Sequence, residues 1–403
     1  MVKNISAKMK NRKIEKIMGT KIKRTKFCSW CLKDISKGCK LCVKGRKLVL
    51  FATGLCSRNC YYCPLSEQKK NKDVIFANER PVHSDKEIIE EARISEARGA
   101  SITGGDPLIV FERTLRYIKL LKKTFGRKFH IHLYAPTELV TEDKLEKLHK
   151  AGLDEIRFHP GLCNQKFWNK IDLALKFDWD VGIEIPAIPG LEQQTKKLID
   201  YADEKVKFLN VNELEISDTN ANNLLEKGFV PKDRISYGVM GSEELAIKLL
   251  KYCTAEKANF SVHYCTAKLK DKVQLGNRIK IRARNSAEKF DIITKEGMLL
   301  RGAIYLPETK PGFSYKRKIE RIKTSRTADS LLIEKLQKTS EFIRKEYKIP
   351  KNLIKIDNKR LRIITALPIV QEIKNDLKKL NLLPAAIKQY PTFDELEVDI
   401  DFL

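Results

Sequence analysis

Three cysteines, Cys56, Cys60 and Cys63, fall within Gly54-Leu-Cys-Ser-Arg-Asn-Cys-Tyr-Tyr-Cys-Pro64, directly after the apolar run 48–53. Thiolates are soft ligands suited to iron–sulfur clusters, and three of them leave a cluster one position short of a four-cysteine set. An open position on a redox-active metal is a place where a small molecule binds and receives an electron. The competing arrangement is a closed zinc site completed by a distant Cys or His. A second group comes earlier, in Cys28-Ser-Trp-Cys31 and Gly38-Cys39-Lys-Leu-Cys42. Two Cys-x2-Cys pairs this close can supply four thiolates tetrahedrally, so Cys28, Cys31, Cys39 and Cys42 are expected to hold structural zinc, or iron. Seven of the ten cysteines lie in these two groups, a pattern of metal ligands rather than of disulfides.

Cys-x3-Cys-x2-Cys with an aromatic before the last cysteine resembles the radical S-adenosylmethionine (SAM) superfamily. The resemblance implies a [4Fe-4S] cluster on Cys56, Cys60 and Cys63 whose fourth iron takes the amino and carboxylate groups of SAM. It further implies reductive cleavage of SAM, fed by an electron donor such as ferredoxin or flavodoxin, to a deoxyadenosyl radical that abstracts hydrogen from a substrate. Thr103-Gly104-Gly105-Asp106-Pro107 falls where the family has a Gly-Gly-Glu-Pro-like segment holding the SAM amino group, with Asp106 in place of the commoner Glu. Tyr62 stands where the family sets an aromatic beside adenine. Gly182 to Gly190 matches a segment contacting adenine, with Ile185 and Pro186 as candidates and Pro186 replacing a glycine. The phrases Ala77-Asn-Glu-Arg-Pro81 and Glu184-Ile-Pro-Ala-Ile-Pro189 resemble archaeal proteins related to the activating enzyme of pyruvate formate-lyase.

The elements that must position these residues show in the hydrophobic pattern. Short apolar runs at 47–53, 100–103, 130–134, 155–158, 181–185, 209–215 and 260–263 are strand candidates. Amphipathic segments at 85–98, 111–124, 142–151 and 243–253 separate many of them. Such alternation predicts an α/β fold of parallel strands with right-handed crossovers, and the resemblance implies a partial (β/α)6 barrel. Active-site residues in such barrels sit at strand C-termini. Arg157, after the fourth strand, is a candidate clamp for the methionyl carboxylate. Glu184, Glu213 and Glu215 are candidates for contacting substrate or ribose, since inward carboxylates are costly as core filler. His130, His132 and His159 are further polar candidates, and Cys265 is a candidate thiol at the seventh strand.

The expected organisation is a basic arm (1–26), a four-cysteine module (27–46), the barrel (47–285) and a C-terminal α+β domain (286–403). In the last, a hairpin about Gly297, a basic connection (309–323), helices near 328–347 and 368–380, an extended pair near 353–364 and a final strand near 395–402 are expected. A net charge of +27 suits a polyanionic partner, and residues 1–26 hold ten Lys and Arg against Glu15. No run approaches the ~20 apolar residues of a membrane span, so a cytoplasmic protein is expected. The leading expectation is a radical SAM enzyme modifying tRNA or rRNA. The alternatives are an enzyme that activates or modifies a protein or metabolite, as a glycyl-radical activase does, and a non-enzymatic, metal-stabilised nucleic-acid-binding module.

Overall fold

The computed structural model describes residues 21–403, so the basic arm lies outside the described residues except for 21–26. The chain divides into two compact units between Arg278 and Ile279.

The first unit is one eleven-stranded sheet. Its strands are β1 (Ile22–Arg24), β2 (Trp30–Leu32), β3 (Lys47–Phe51), β4 (Phe76–Ala77), β5 (Arg80–Pro81), β6 (Gly99–Thr103), β7 (His130–Pro136), β8 (Glu155–His159), β9 (Asp180–Ala187), β10 (Phe208–Glu213) and β11 (Ser261–Cys265). They follow the order β1-β2-β11-β10-β9-β8-β7-β6-β3-β4-β5. The seven strands from β3 to β11 along this path are mutually parallel, and each corresponds to an expected apolar run. Helices α1 (Lys37–Val43), α2 (Asp85–Ile94), α3 (Phe111–Phe125), α4 (Glu142–Lys150), α5 (Glu192–Ala202), α6 (Ala221–Glu226) and α7 (Ser242–Ala255) accompany them, and α8 (Gly276–Ser286) runs across the division.

Local chemistry sets these elements. A capping box between Ser84 and Glu87 starts α2, and α3 buries Leu115, Ile118 and Leu121 at helical spacing. Along β7 the period of two sends Ile131, Leu133 and Ala135 into the apolar core and His130, His132 and Tyr134 to the opposite face.

Residues 27–46 join the first sheet rather than standing apart from it. Strand β2 pairs antiparallel with β11, and α1 packs on β3, β6 and β7. A Cβ at Gly38 of α1 would lie 2.4 Å from both Arg157 and His132, so this helix presses its backbone onto the polar inner face of the sheet. The four cysteines are divided between two elements, Cys39 and Cys42 on α1 and Cys31 in β2 with Cys28 just before it. Cys31 lies opposite His263 on β2, whereas Cys39 accepts a hydrogen bond from Asn210 of β10 at 3.3 Å.

Glycines let the loops at the strand C-termini touch backbone to backbone. Cβ atoms at Gly54, Gly104 and Gly105 would lie 1.6 Å from the Lys69 carbonyl oxygen, 2.3 Å from that of Thr53 and 2.2 Å from that of Leu55. The amides of Gly105 and Asp106 donate to Thr53 and Leu55 at 2.8 and 2.7 Å, which fixes the cysteine loop beside the Gly-Gly segment.

The second unit carries a six-stranded sheet, with β12 (Ile292–Ile293), β13 (Leu299–Tyr305), β14 (Ile354–Asp357), β15 (Arg362–Thr365), β16 (Leu383–Gln389) and β17 (Glu397–Phe402). The order is β14-β15-β13-β16-β17, with β12 paired to β13 as the expected hairpin. Helices α9 (Tyr315–Thr324), α10 (Arg326–Glu346) and α11 (Leu367–Lys379) complete it. The expected basic connection is largely a helix, α9, whose Ile319 is buried.

Gly54→Ala is expected to lower stability by about 3 kcal/mol or more, because the backbone has no space to absorb the methyl. Gly276→Ala, whose Cβ would approach nothing closer than 4.0 Å, is expected to stay within about 1 kcal/mol of the parent. Urea unfolding of the two variants checks the contrast.

Candidate active site

A cavity of about 310 Å³ opens at the C-terminal ends of the parallel strands. Its wall includes Cys56, Cys60 and Cys63 from the loop after β3, and Thr103, Gly104 and Gly105 after β6. Opposite them stand Glu184 and Pro186 of β9, with Asn212, Glu213 and Glu215 at the end of β10. The three thiols, the Gly-Gly backbone and the three carboxylates singled out in the sequence therefore share one chamber.

Tyr62 and His159 close one side of it. The Glu184 carbonyl oxygen, 2.8 Å from His159 Nδ1, only accepts, so that nitrogen carries the proton. His159 Nε2 then accepts from the Tyr62 hydroxyl at 2.9 Å. Burial, reinforced by Arg58, pushes the His159 imidazole down to about 4, which keeps it neutral. Arg58, inside the cysteine loop, donates to the His159 carbonyl at 2.6 Å and pairs with Glu138 at 3.4 Å.

Glu184 is fixed from below. Arg157 donates to it at 2.7 Å, Asn210 at 2.9 Å and Asn212 at 3.0 Å. Burial alone would raise the Glu184 carboxyl, but Arg157 and the two amides outweigh it and hold the group below the usual range. Glu213 accepts from the Ala267 amide at 2.8 Å and pairs with Lys232, and Glu215 pairs with Lys270 at 2.7 Å.

Four of the residues expected to hold SAM or to act in catalysis are not on this wall. Arg157 has its fork spent on Glu155 (2.5 Å), Glu184, Tyr134 (3.2 Å) and Ser36 (2.9 Å), so no donor remains for a SAM carboxylate. Asp106 is fully buried, accepting from Ser57 Oγ at 2.7 Å and the Leu108 amide at 2.9 Å, and so ties the cysteine loop to the Gly-Gly turn. Ile185 alternates away from Glu184 into the apolar core. Cys265 packs with Val43 and Leu269, and burial pushes its thiol up.

Beneath the cavity lies a buried ionic ladder. Among the described residues, His130, His132 and Glu155 bring three metal-capable ligand atoms within 4.8 Å of one another. A divalent cation there would meet two positive charges already in place. Lys47 Nζ donates to Nδ1 of His132 at 2.7 Å and of His130 at 3.3 Å, and Arg157 holds Glu155. Lys47 and Arg157 balance Glu155 and Glu184, so the cluster is a self-neutralised ion network. Burial pushes the Lys47 ammonium down to about 8.

Sequence reasoning missed Arg58, Asn212 and the anchoring Asn210. Arg58 lay inside the quoted cysteine run, and Asn210 and Asn212 share a strand face at a period of two, which was the available signal.

The radical SAM superfamily model matches residues 50–202. A protein of Methanocaldococcus jannaschii, named as a candidate glycyl-radical enzyme activating enzyme, is 48% identical over 277 residues, covering 66% of this chain and 73% of that protein. Two structures of the radical SAM methyltransferase TsrM from Kitasatospora setae align over 63% and 58% of this chain, with TM-scores of 0.33 and 0.32 and identities of 9% and 10%. One has tryptophan and a SAM analogue bound, the other cobalamin and a [4Fe-4S] cluster. The chain spans about half the length of those proteins, 56% and 52%.

Arg157→Leu is expected to destabilise by about 3–5 kcal/mol, since it leaves two buried carboxylates uncompensated; chemical unfolding at pH 7 measures it. Lys47 generates a pH signature. Between about 8 and 10.5 the unfolded chain binds its proton more tightly than the folded chain, so this group makes stability rise with pH across that window. Unfolding free energies of Lys47→Met and parent, compared at several pH values, are expected to shift in the parent's favour from pH 8 to pH 10.5 and to keep a constant gap below pH 7.

Proposed function

The chain belongs to the radical SAM superfamily and is an enzyme, and on that premise we propose that it cleaves SAM reductively to activate or modify a polypeptide. The observation that carries this reading is the opening of three loop thiols, a glycine backbone and fixed carboxylates onto one cavity.

Three free cysteines on one loop suit a [4Fe-4S] cluster, which when bound supplies the electron that cleaves SAM. In this reading Cys56, Cys60 and Cys63 hold the cluster. Carbonyls at Thr103, Gly104 and Gly105 accept from the SAM ammonium. Tyr62, its hydroxyl engaged by His159, offers its ring to adenine, and Pro186 borders the same space. Arg58 takes the part expected of Arg157, as the guanidinium on the cavity wall. Glu184, locked by three donors, orients a polar group of SAM or substrate, while Glu213 and the Glu215–Lys270 pair form the facing wall.

Two observations favour a polypeptide over RNA as the target. The relative from M. jannaschii carries the name of an activating enzyme, whose target is a protein. The segment leaving β10 also exposes Ile235, Tyr237 and Met240, and it is bridged back to the cavity residue Glu215 through Gly238. Apolar side chains beside a catalytic mouth suit a protein surface better than a phosphate backbone. The expected electron donor, ferredoxin or flavodoxin, stays part of the reading. Among the described residues no helix is long and apolar enough to cross a membrane.

Anaerobic reconstitution with iron and sulfide, followed by reduction, is expected to yield deoxyadenosine from SAM, and Cys60→Ala is expected to abolish it. Host protein fractions should stimulate release where the RNA fraction does not. Stimulation by RNA alone would reverse the choice of target, and no release from the iron-loaded parent would remove the enzymatic reading of these thiols.

A further inference from the structure

We propose that helix α9 of the C-terminal unit, with Phe313 before it, is a docking surface for single-stranded RNA, a function separate from the cavity chemistry. The helix sequence Tyr315-Lys-Arg-Lys-Ile-Glu-Arg-Ile-Lys-Thr324 contains a lone acid, Glu320. Its apolar stripe is spent inside the unit: Ile319 is buried, and Tyr315 and Ile322 pack against the same core. The opposite face and its flanks carry Arg317, Lys318, Arg321 and Lys323, all exposed. Among the described residues none of these four forms an ion pair, and the nearby acid Glu308 is already paired with Lys335 at 2.5 Å. Unpaired like charges on one face repel one another, and a polyanion relieves that repulsion while releasing its own counterions.

Phe313 decides which polyanion. It is fully exposed, and Ser314 after it has φ +72°, a left-handed turn that starts α9 without returning the ring to the core. An aromatic ring standing free beside a cationic helix face is the pairing that single strands need, the ring stacking on a base while the cations track phosphates. A bilayer fits less well, because the apolar face of α9 faces inward and leaves a single ring to insert. A duplex offers phosphates but keeps its bases stacked away from the ring. Lasting single strands in a cell are RNA, which sets the source.

The test uses the full chain and a fluorescent 20-nucleotide unstructured RNA read by anisotropy. With four phosphates engaged, affinity is expected to fall about 50-fold between 50 and 200 mM salt, a slope of about 0.7 per phosphate. R317A/K318A/R321A/K323A leaves Ile319 and Ile322 in place, and its fold is checked by circular dichroism. It is expected to lose at least about tenfold in affinity and most of the salt slope. Phe313→Ala is expected to weaken RNA binding about fivefold or more while leaving binding of inorganic polyphosphate unchanged. Parental affinity in the folded quadruple variant overturns the proposal, as does equal binding of RNA, duplex DNA and anionic vesicles by the parent. None of these outcomes bears on SAM cleavage.

Discussion

A guanidinium buried between two carboxylates organises the first unit. Arg157 reaches Glu155 on its own strand and Glu184 on the next, and its remaining donors meet Tyr134 and the Ser36 hydroxyl that caps α1. Placing such a group away from water is favourable only when every donor is used. The requirement ties the position of α1 to that of β8 and β9. Gly38 belongs to the same constraint, because a side chain there would displace the guanidinium from below. The carboxylate that faces the cavity is thereby held by a network rooted in the N-terminal segment.

The cavity itself is built from backbone as much as from side chains. Turns after β3 and β6 meet at Gly54, Gly104 and Gly105, and the amides of one turn bond the carbonyls of the other. Asp106 strengthens this seam through Ser57 rather than facing a ligand. Its buried carboxyl is raised by desolvation, an effect that the Ser57 and Leu108 donors offset only in part. Glycine at these sites therefore reflects close approach of two chains, whatever their carbonyls also bind.

The barrel strands were legible in the sequence because parallel strands buried on both faces are apolar runs of strand length, and all seven emerged close to their expected positions. The convergence of Cys56, Cys60, Cys63, Gly104, Gly105, Glu184, Glu213 and Glu215 followed from strand ends and motif order. What stayed hidden depends on tertiary partners. The Cys-x2-Cys spacing of Cys39 and Cys42 is also one turn of helix, and nothing local reveals that α1 sets Cys39 against Asn210 of β10. Arg157 looked free because, apart from Glu155 on its own strand, its partners lie on β7, on β9 and in the N-terminal segment. Strand β16, Leu-Pro-Ala-Ala-Ile-Lys-Gln, has weak strand propensity and exists because β13 and β17 pair with it on either side. Helix α9 was concealed by its charge, which diluted the spacing of Ile319 and Ile322.

The cysteine loop is held by hydrogen bonds at its ends and in its middle. Gly54 and Lys72 join its ends at 2.8 Å, Thr53 Oγ1 bonds Asp73 at 2.9 Å, and Asn220 and Thr219 hold the carbonyls of Tyr62 and Cys63 at 3.0 and 3.4 Å. The reach of the three thiols into the cavity is thereby set by residues as far along the chain as Asp73 and Asn220, so the cysteine loop and the segment that follows β10 are one piece of architecture.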